Sequence, residues 1–367
     1  MLLNKIGLKN FKCFENQTID LAPLTLFSGL NGMGKSTVIQ SLLLLKQSFD
    51  EKVLSKGLSL NGDLISIGTG RDLLYERAEE EKINILLGVG NGRENEWTFI
   101  YNRESNFLTL DDFQEETPLK EISIFTDQFQ YLSAERIGPR TSFEKSNFNV
   151  VEHKKLGIRG EYVQHYLHVF GDEKVDNKEI IKDSKSLTLL SQVQAWMDCI
   201  SPGLRIETSD YSDADFIGLQ YRFANNKEFT NKFRPTNVGF GITYILPVVV
   251  SLLKAKKGDI IVVENPEAHL HPQGQREMGE LIAKACSGGV QVIVETHSDH
   301  ILNGIRLSVR KKYIQNNKIR LHFFDKEDKE GIKVHKIVSP QIKEDGRLDR
   351  WPKGFFDEWD KALNEFF

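Results

Sequence analysis

Apolar and polar positions follow two rhythms along this chain. Ile6-Gly7-Leu8-Lys9-Asn10-Phe11 and Leu24-Thr25-Leu26-Phe27 read as short strands, the second running into Ser28-Gly29. Thr37 to Phe49 predicts a helix that is apolar nearly all round, with Val38-Ile39 and Leu42-Leu43-Leu44-Leu45, as burial against a sheet requires. The order is strand, glycine loop, helix. Residues 59 to 133 predict further strands, among them Ile83-Asn84-Ile85-Leu86-Leu87 and Phe129-Gln130-Tyr131-Leu132, expected to be antiparallel and locally connected. Residues 141 to 235 are more charged and mixed, with an amphipathic helix expected around Leu187 to Ile200. From 242 the α/β rhythm returns as a helix to about Lys256, a strand Ile260 to Val263, a helix to about Cys286 and a strand Val292 to Val294. Both runs of β-branched residues suit buried parallel strands. Repeats, low-complexity tracts and sustained heptads are absent from the sequence.

Between the second strand and its helix, Gly29-Leu30-Asn31-Gly32-Met33-Gly34-Lys35-Ser36 matches the Walker A pattern. Glycines at 29, 32 and 34 let backbone N–H groups close around phosphate oxygens, and the helix after them presents its positive end. Lys35 is expected to neutralise the β/γ oxygens, Ser36 to coordinate Mg²⁺, and Asn31 and Thr37 to complete the cradle for ATP.

Two later strands end in chemistry. Ile260-Ile261-Val262-Val263-Glu264-Asn265-Pro266-Glu267 is a buried strand ending abruptly in acids, where Glu264 is the candidate ligand for the Mg²⁺ shell. Val292-Ile293-Val294-Glu295-Thr296-His297-Ser298 delivers His297 at a strand's carboxyl end, within expected reach of a γ-phosphate. His269 and His271 invite a metal site, but a loop beside the nucleotide accounts for them without one.

Composition narrows little beyond this. With 40% hydrophobic and 27% charged residues among 367, a sizeable core can form without disulfides. Cys13, Cys199 and Cys286 stand far apart in no ligand spacing, which fits a reducing compartment. No signal-peptide pattern and no bilayer-length apolar run is present, so a cytoplasmic location without membrane association is expected. A net charge of −4 gives no global pull toward nucleic acid. The local candidates are Arg306, Arg310-Lys311-Lys312 and Lys318-Arg320, which a solvated helix face also explains.

The Gly-x-Asn-Gly-x-Gly-Lys-Ser loop, the acidic strand end followed by Pro-Glu and Leu270-His271-Pro272, and the Glu-Thr-His-Ser strand resemble the RecF/SMC/OLD branch of ABC-type P-loop ATPases. The tail, with Asp345-Gly346-Arg347, Trp351-Pro352 and Gly354-Phe355-Phe356-Asp357, resembles a small C-terminal domain of unknown function on prokaryotic members. The resemblance implies an α/β fold, an ABC-type head built on a mixed sheet with a P-loop core and carrying an inserted helical subdomain. The expected division is an ATPase lobe over 1–140, a helical or mixed insertion over 141–235, a second lobe over 236–321 and a strand/helix extension over 322–367.

It further implies two heads sandwiching ATP, each signature motif capping the other's nucleotide. Asn237-Val238-Gly239-Phe240-Gly241 stands at the signature position, where Gly239 and Gly241 would offer N–H groups. The family's Asp-Glu pair is here Glu264-Asn265, so an amide holds the general-base position, and either Glu267 takes that role or hydrolysis is slow. No Q-loop glutamine is evident beyond Gln128 and Gln130.

Three function classes follow. One is an ATPase whose ATP-driven homodimer closure switches a separate effector protein, such as a nuclease, or engages nucleic acid. Another is a fused nuclease of the OLD type, for which the residues beyond His322 are too few. The third is a nucleotide-gated scaffold with little turnover. SMC-type arms need heptads that 141–235 lacks, and antiphage defence is the context the resemblance implies.

Overall fold

The computed structural model describes residues 1–90, 92–182, 184, 186–225, 228–329, 331–357, 363, 365 and 366. Two compact units emerge. One comprises Met1–Phe129, Arg320–Pro340 and Arg350–Phe355; the other comprises Gln130–Ile319, Gln341–Asp349 and the described residues after Phe355. The 141–235 stretch falls wholly inside the second unit.

The first unit opens with β1 (Leu3–Phe11), β2 (Phe14–Asp20), β3 (Leu24–Gly29) and α1 (Lys35–Asp50), followed by β4 (Gly57–Ser59), β5 (Lys82–Val89), β6 (Arg93–Ile100) and β7 (Phe107–Glu115). These build a six-stranded sheet in the order β2-β1-β5-β6-β7-β4. Strand alternation explains the burial: Ile83, Ile85, Leu87 and Val89 of β5 lie inside, as do Trp97 and Phe99 of β6. Trp97 stacks on Phe113 at 4.9 Å, and Phe125 bridges Trp97 to Phe49 of α1. Leu42 to Leu45 are all buried, as expected. Each such side chain contributes roughly 1.5–3 kcal/mol.

In the second unit, β8 (Phe129–Leu132) is followed by β9 (Phe143–Glu144), α2 (Val163–Phe170), α3 (Leu189–Ile200), β10 (Leu204–Tyr211), β11 (Phe216–Asn225) and β12 (Glu228–Phe229). The insertion therefore adds an antiparallel sheet, β10-β11-β12 with β9 on β11, to its helices. Next come α4 (Phe240–Lys254), β13 (Ile260–Glu264), α5 (Pro272–Ser287), β14 (Gln291–Glu295) and α6 (Asp299–Arg310). β13 and β14 are parallel, in register from Ile260 opposite Gln291 to Glu264 opposite Glu295, so both strands end side by side. β8 flanks β13.

The chain then returns to the first unit as β15 (Ile319–Lys329) and β16 (Ile332–Val338), with β15 beside β3. On β15 the buried His322 donates from Nε2 to the Asp20 carbonyl at 2.7 Å, leaving Nδ1 to accept from Ser339 at 2.8 Å. Burial lowers the pKa of this imidazole below its ordinary 6.5, so the folded state prefers the neutral ring. Its contribution is present above the unfolded pKa and is lost as pH falls through it toward the folded value. Melting temperature is expected to drop more steeply between pH 8 and pH 5.5 in the wild type than in His322→Gln.

Phe355 is buried against Phe323 at 5.3 Å and Trp351 at 5.7 Å. Phe355, Trp359, Leu363 and Phe366 have helical spacing, which predicts one face buried on the chain's own core or on a partner; in the chain alone Leu363 and Phe366 are exposed, and Trp359 lies outside the described residues.

Candidate functional site

The phosphate loop belongs to the first unit. Fully buried β3 delivers the chain at Gly29, and α1 begins at Lys35 with Gly34 at its N-cap in the left-handed region, φ 102°. A Cβ on Gly34 would also lie 2.7 Å from the Phe14 ring and 2.8 Å from Cys13 Sγ in the β1–β2 hairpin, so glycine is required twice over. Among the described residues, none of the backbone N–H groups of residues 30–34 is taken up by a backbone acceptor. Lys35 is buried with Nζ on the loop's own carbonyls, Gly29 at 2.9 Å and Leu30 at 3.0 Å. Asn31, Gly32 and Ser36 face solvent, and Thr37 Oγ1 accepts from the Cys13 thiol at 3.7 Å. His335 of β16 approaches the Gly32 carbonyl at 3.4 Å, a tie from the far end of the sequence. Uncommitted N–H groups at a helix start, beside a lysine and an exposed serine, form a donor set that suits Mg-nucleotide phosphates.

The strand-end acids belong to the second unit. Glu264 accepts from the Tyr131 hydroxyl and from Ala134 N–H, both at 3.1 Å. Its donors are neutral, it forms no ion pair among the described residues, and burial raises its pKa. A half-buried carboxylate whose oxygens take only neutral donors, with the Arg136 guanidinium close by offsetting part of the burial, suits a divalent-cation shell.

Asn265 adopts φ 45°; its N–H donates to the Glu295 carbonyl at 2.8 Å, and its buried Oδ1 has no partner among the described residues. Glu267 is already engaged, one oxygen accepting from Thr296 Oγ1 at 2.7 Å and the other from His297 N–H at 2.8 Å. It ties the loop after β13 to the end of β14 and sets the backbone beneath the exposed His297 side chain. His271 caps α5 by accepting from Gln273 N–H, and His269 packs its ring on Phe240 and Tyr244 at 4.6 and 5.0 Å. Gln130, one Q-loop candidate, is buried and holds Tyr131, Leu156 and Gly157 backbone groups.

Arg136 is the residue that sequence reasoning missed. Its buried guanidinium donates to the carbonyls of Ser133 (2.9 Å), Glu264 (2.6 Å), Asn265 (2.7 Å) and Tyr244 (3.2 Å), and lies 4.6 Å from the Tyr244 ring centroid. The Tyr244 hydroxyl in turn donates to the Ala134 carbonyl. One cation thus satisfies carbonyls where β13 ends and where α4 begins. The only sequence signal was an arginine soon after a short apolar strand.

At the signature position, Gly239 caps α4, and a Cβ there would meet nothing. Gly241 differs, since a Cβ would lie 2.3 Å from the His269 carbonyl oxygen. Gly241→Ala is expected to destabilise the chain by roughly 1–3 kcal/mol while Gly239→Ala is near neutral, as read from urea unfolding midpoints. Equal midpoints for the two variants would contradict this packing role.

Residues 24–303 match the family model described as "AAA domain, putative AbiEii toxin, Type IV TA system", and residues 314–366 match "Protein of unknown function (DUF3696)". No curated protein matches. Among solved structures, an SmcHead bound to the C-winged helix domain of ScpA is similar at 14% identity and TM-score 0.51, covering 93% of this chain and 99% of that one. The SMC head domain from Thermotoga maritima (15%, TM-score 0.45, covering 92% and 99%) is also similar. So is the Pyrococcus furiosus Smc head with an extended coiled coil bound to the C-terminal domain of ScpA (13%, 0.49, 100% and 99%). The first likeness shows the ABC-type head fold. With most of its length matched, the chain belongs to this AAA domain family of P-loop ATPases.

Proposed function

We propose that the chain binds and hydrolyses Mg-ATP, and that ATP-dependent pairing of two copies controls a separate effector protein, such as a nuclease, in prokaryotic antiphage defence. The observation that carries the reading is the loop at residues 30–34, whose N–H groups have no backbone acceptor among the described residues, at the head of a buried helix. In that reading Gly29, Asn31, Gly32, Gly34, Lys35 and Thr37 hold the phosphates, while Ser36 and Glu264 serve the magnesium, which supplies charge neutralisation when bound. His297 meets the γ-phosphate. Asn265 orients the attacking water through its unpartnered Oδ1, and Gly239 and Gly241 face the nucleotide of the second copy.

The partner protein rests on analogy with the ScpA-bound SMC head. No helix among the described residues is long and apolar enough to cross a membrane, which accords with a cytoplasmic assembly. A nucleotide-gated scaffold with little turnover is the second reading, favoured by the amide at Asn265.

Phosphate release by the purified chain with Mg-ATP, and with EDTA in place of the metal, separates them. Metal-dependent release supports the ATPase; ATP-dependent pairing without release supports the scaffold; neither pairing nor release overturns both. Gly239→Asp is expected to keep ATP affinity yet abolish ATP-dependent pairing in sedimentation velocity, because a carboxylate would confront the second copy's γ-phosphate. A Gly239→Asp chain that still pairs removes the signature assignment.

A further inference from the structure

We infer that the chain carries a second anion site, for a small phosphate-bearing ligand, between the last turns of α6 and the turn Asp345-Gly346-Arg347. A cavity of about 580 Å³ opens there, lined by Asn303, Arg306, Leu307, Arg310, Asp345, Gly346 and Arg347. That volume lies within the range of small-molecule sites, about 300–1,000 Å³. Three guanidinium groups face one carboxylate. Arg306 is half-buried and held in place, Nε donating to the Gly346 carbonyl at 2.9 Å and Nη1 to Asn303 Oδ1 at 2.8 Å. The carboxylate of Asp345 is drawn into its own turn, accepting from Arg347 N–H at 2.9 Å, with Arg347 Nε 3.7 Å away. Arg310 is exposed and forms no ion pair among the described residues.

The turn itself is braced. An isolated bridge joins Ile342 to Leu348, and the Lys343 N–H donates to the Arg347 carbonyl at 2.7 Å. Planar guanidiniums on a fixed framework suit phosphate, which they bind with paired, charge-assisted hydrogen bonds.

The placement also divides the basic run. Arg306 and Arg310 line the cavity, whereas Lys311 pairs with Glu280 at 3.3 Å. Lys312, Lys318 and Arg320 are not among the lining residues. A discrete pocket results, in place of the extended basic stripe that tracks a nucleic-acid backbone.

Calorimetric titration of inorganic pyrophosphate into the full-length Lys35→Ala chain, which silences the phosphate loop, tests the site. One pyrophosphate per chain is expected, weakened roughly tenfold or more by Arg310→Glu and by Arg347→Glu. Lys312→Glu, an exposed charge off the cavity, is expected to leave affinity within about twofold. Binding that ignores both arginine reversals, or that falls equally with Lys312→Glu, overturns the proposal. So does an absence of pyrophosphate binding while a single-stranded oligonucleotide binds with length-dependent affinity, the mark of a nucleic-acid surface.

Discussion

Lys35→Ala is expected to weaken Mg-ATP binding at least about a hundredfold in calorimetry, through loss of the loop's only side-chain charge. The buried ammonium also bonds the carbonyls of Gly29 and Leu30, so alanine removes the brace of the loop along with the charge. Lys35→Arg divides the two contributions, because it keeps the charge but replaces a compact ammonium with a larger planar fork. Affinity recovered by arginine assigns the effect to charge; affinity lost equally assigns it to loop geometry. A Lys35→Ala chain within threefold of wild type would falsify the phosphate-site assignment.

The second large effect concerns the water. Both oxygens of Glu267 accept hydrogen bonds, one from Thr296 and one from His297, whereas Asn265 Oδ1 is buried with no donor on it among the described residues. The expected pattern follows from that contrast. Glu267→Gln, which preserves shape and can keep both contacts, should hold kcat within about threefold. Glu267→Ala, which releases the His297 backbone, and Asn265→Ala, which deletes the unpartnered oxygen, should each lower kcat by about 10²-fold with ATP affinity kept. A loose phosphoryl-transfer transition state tolerates a water-orienting amide in place of a strong base. Single-turnover hydrolysis decides: if Glu267→Gln alone falls a hundredfold, Glu267 is the base and Asn265 a bystander.

Legibility in the sequence followed how local each signal was. Strand, glycine loop and helix at residues 24–50 form one continuous stretch with its own periodicity, and the structure places β3 and α1 there. β13 and β14 were legible because strands buried on both faces read as unbroken β-branched runs. β2 was not, since only Phe14 and Ile19 of its seven residues are fully buried and it lies at a sheet edge. Return of β15 and β16 to the first unit is set by long-range pairing that no window of sequence contains. Arg136 escaped because its partners are backbone carbonyls, which have no residue type to recognise. At the C-terminal stripe, helical spacing at Phe355, Leu363 and Phe366 brings burial within this chain only at Phe355, and the other cover that the spacing allows, a partner, has no signature in one sequence.

The guanidinium of Arg136 has a mechanical consequence. Since it grips the carbonyls of Glu264 and Asn265 together with that of Tyr244 in the second turn of α4, the helix that would feel a second copy cannot swivel alone. Torque applied at Phe240 reaches the end of β13 through the Arg136 guanidinium as well as through the His269 ring, and separating the two elements would rupture three charge-assisted hydrogen bonds. The second unit thus ties the start of α4 to the end of β13 as a crank is tied to its shaft.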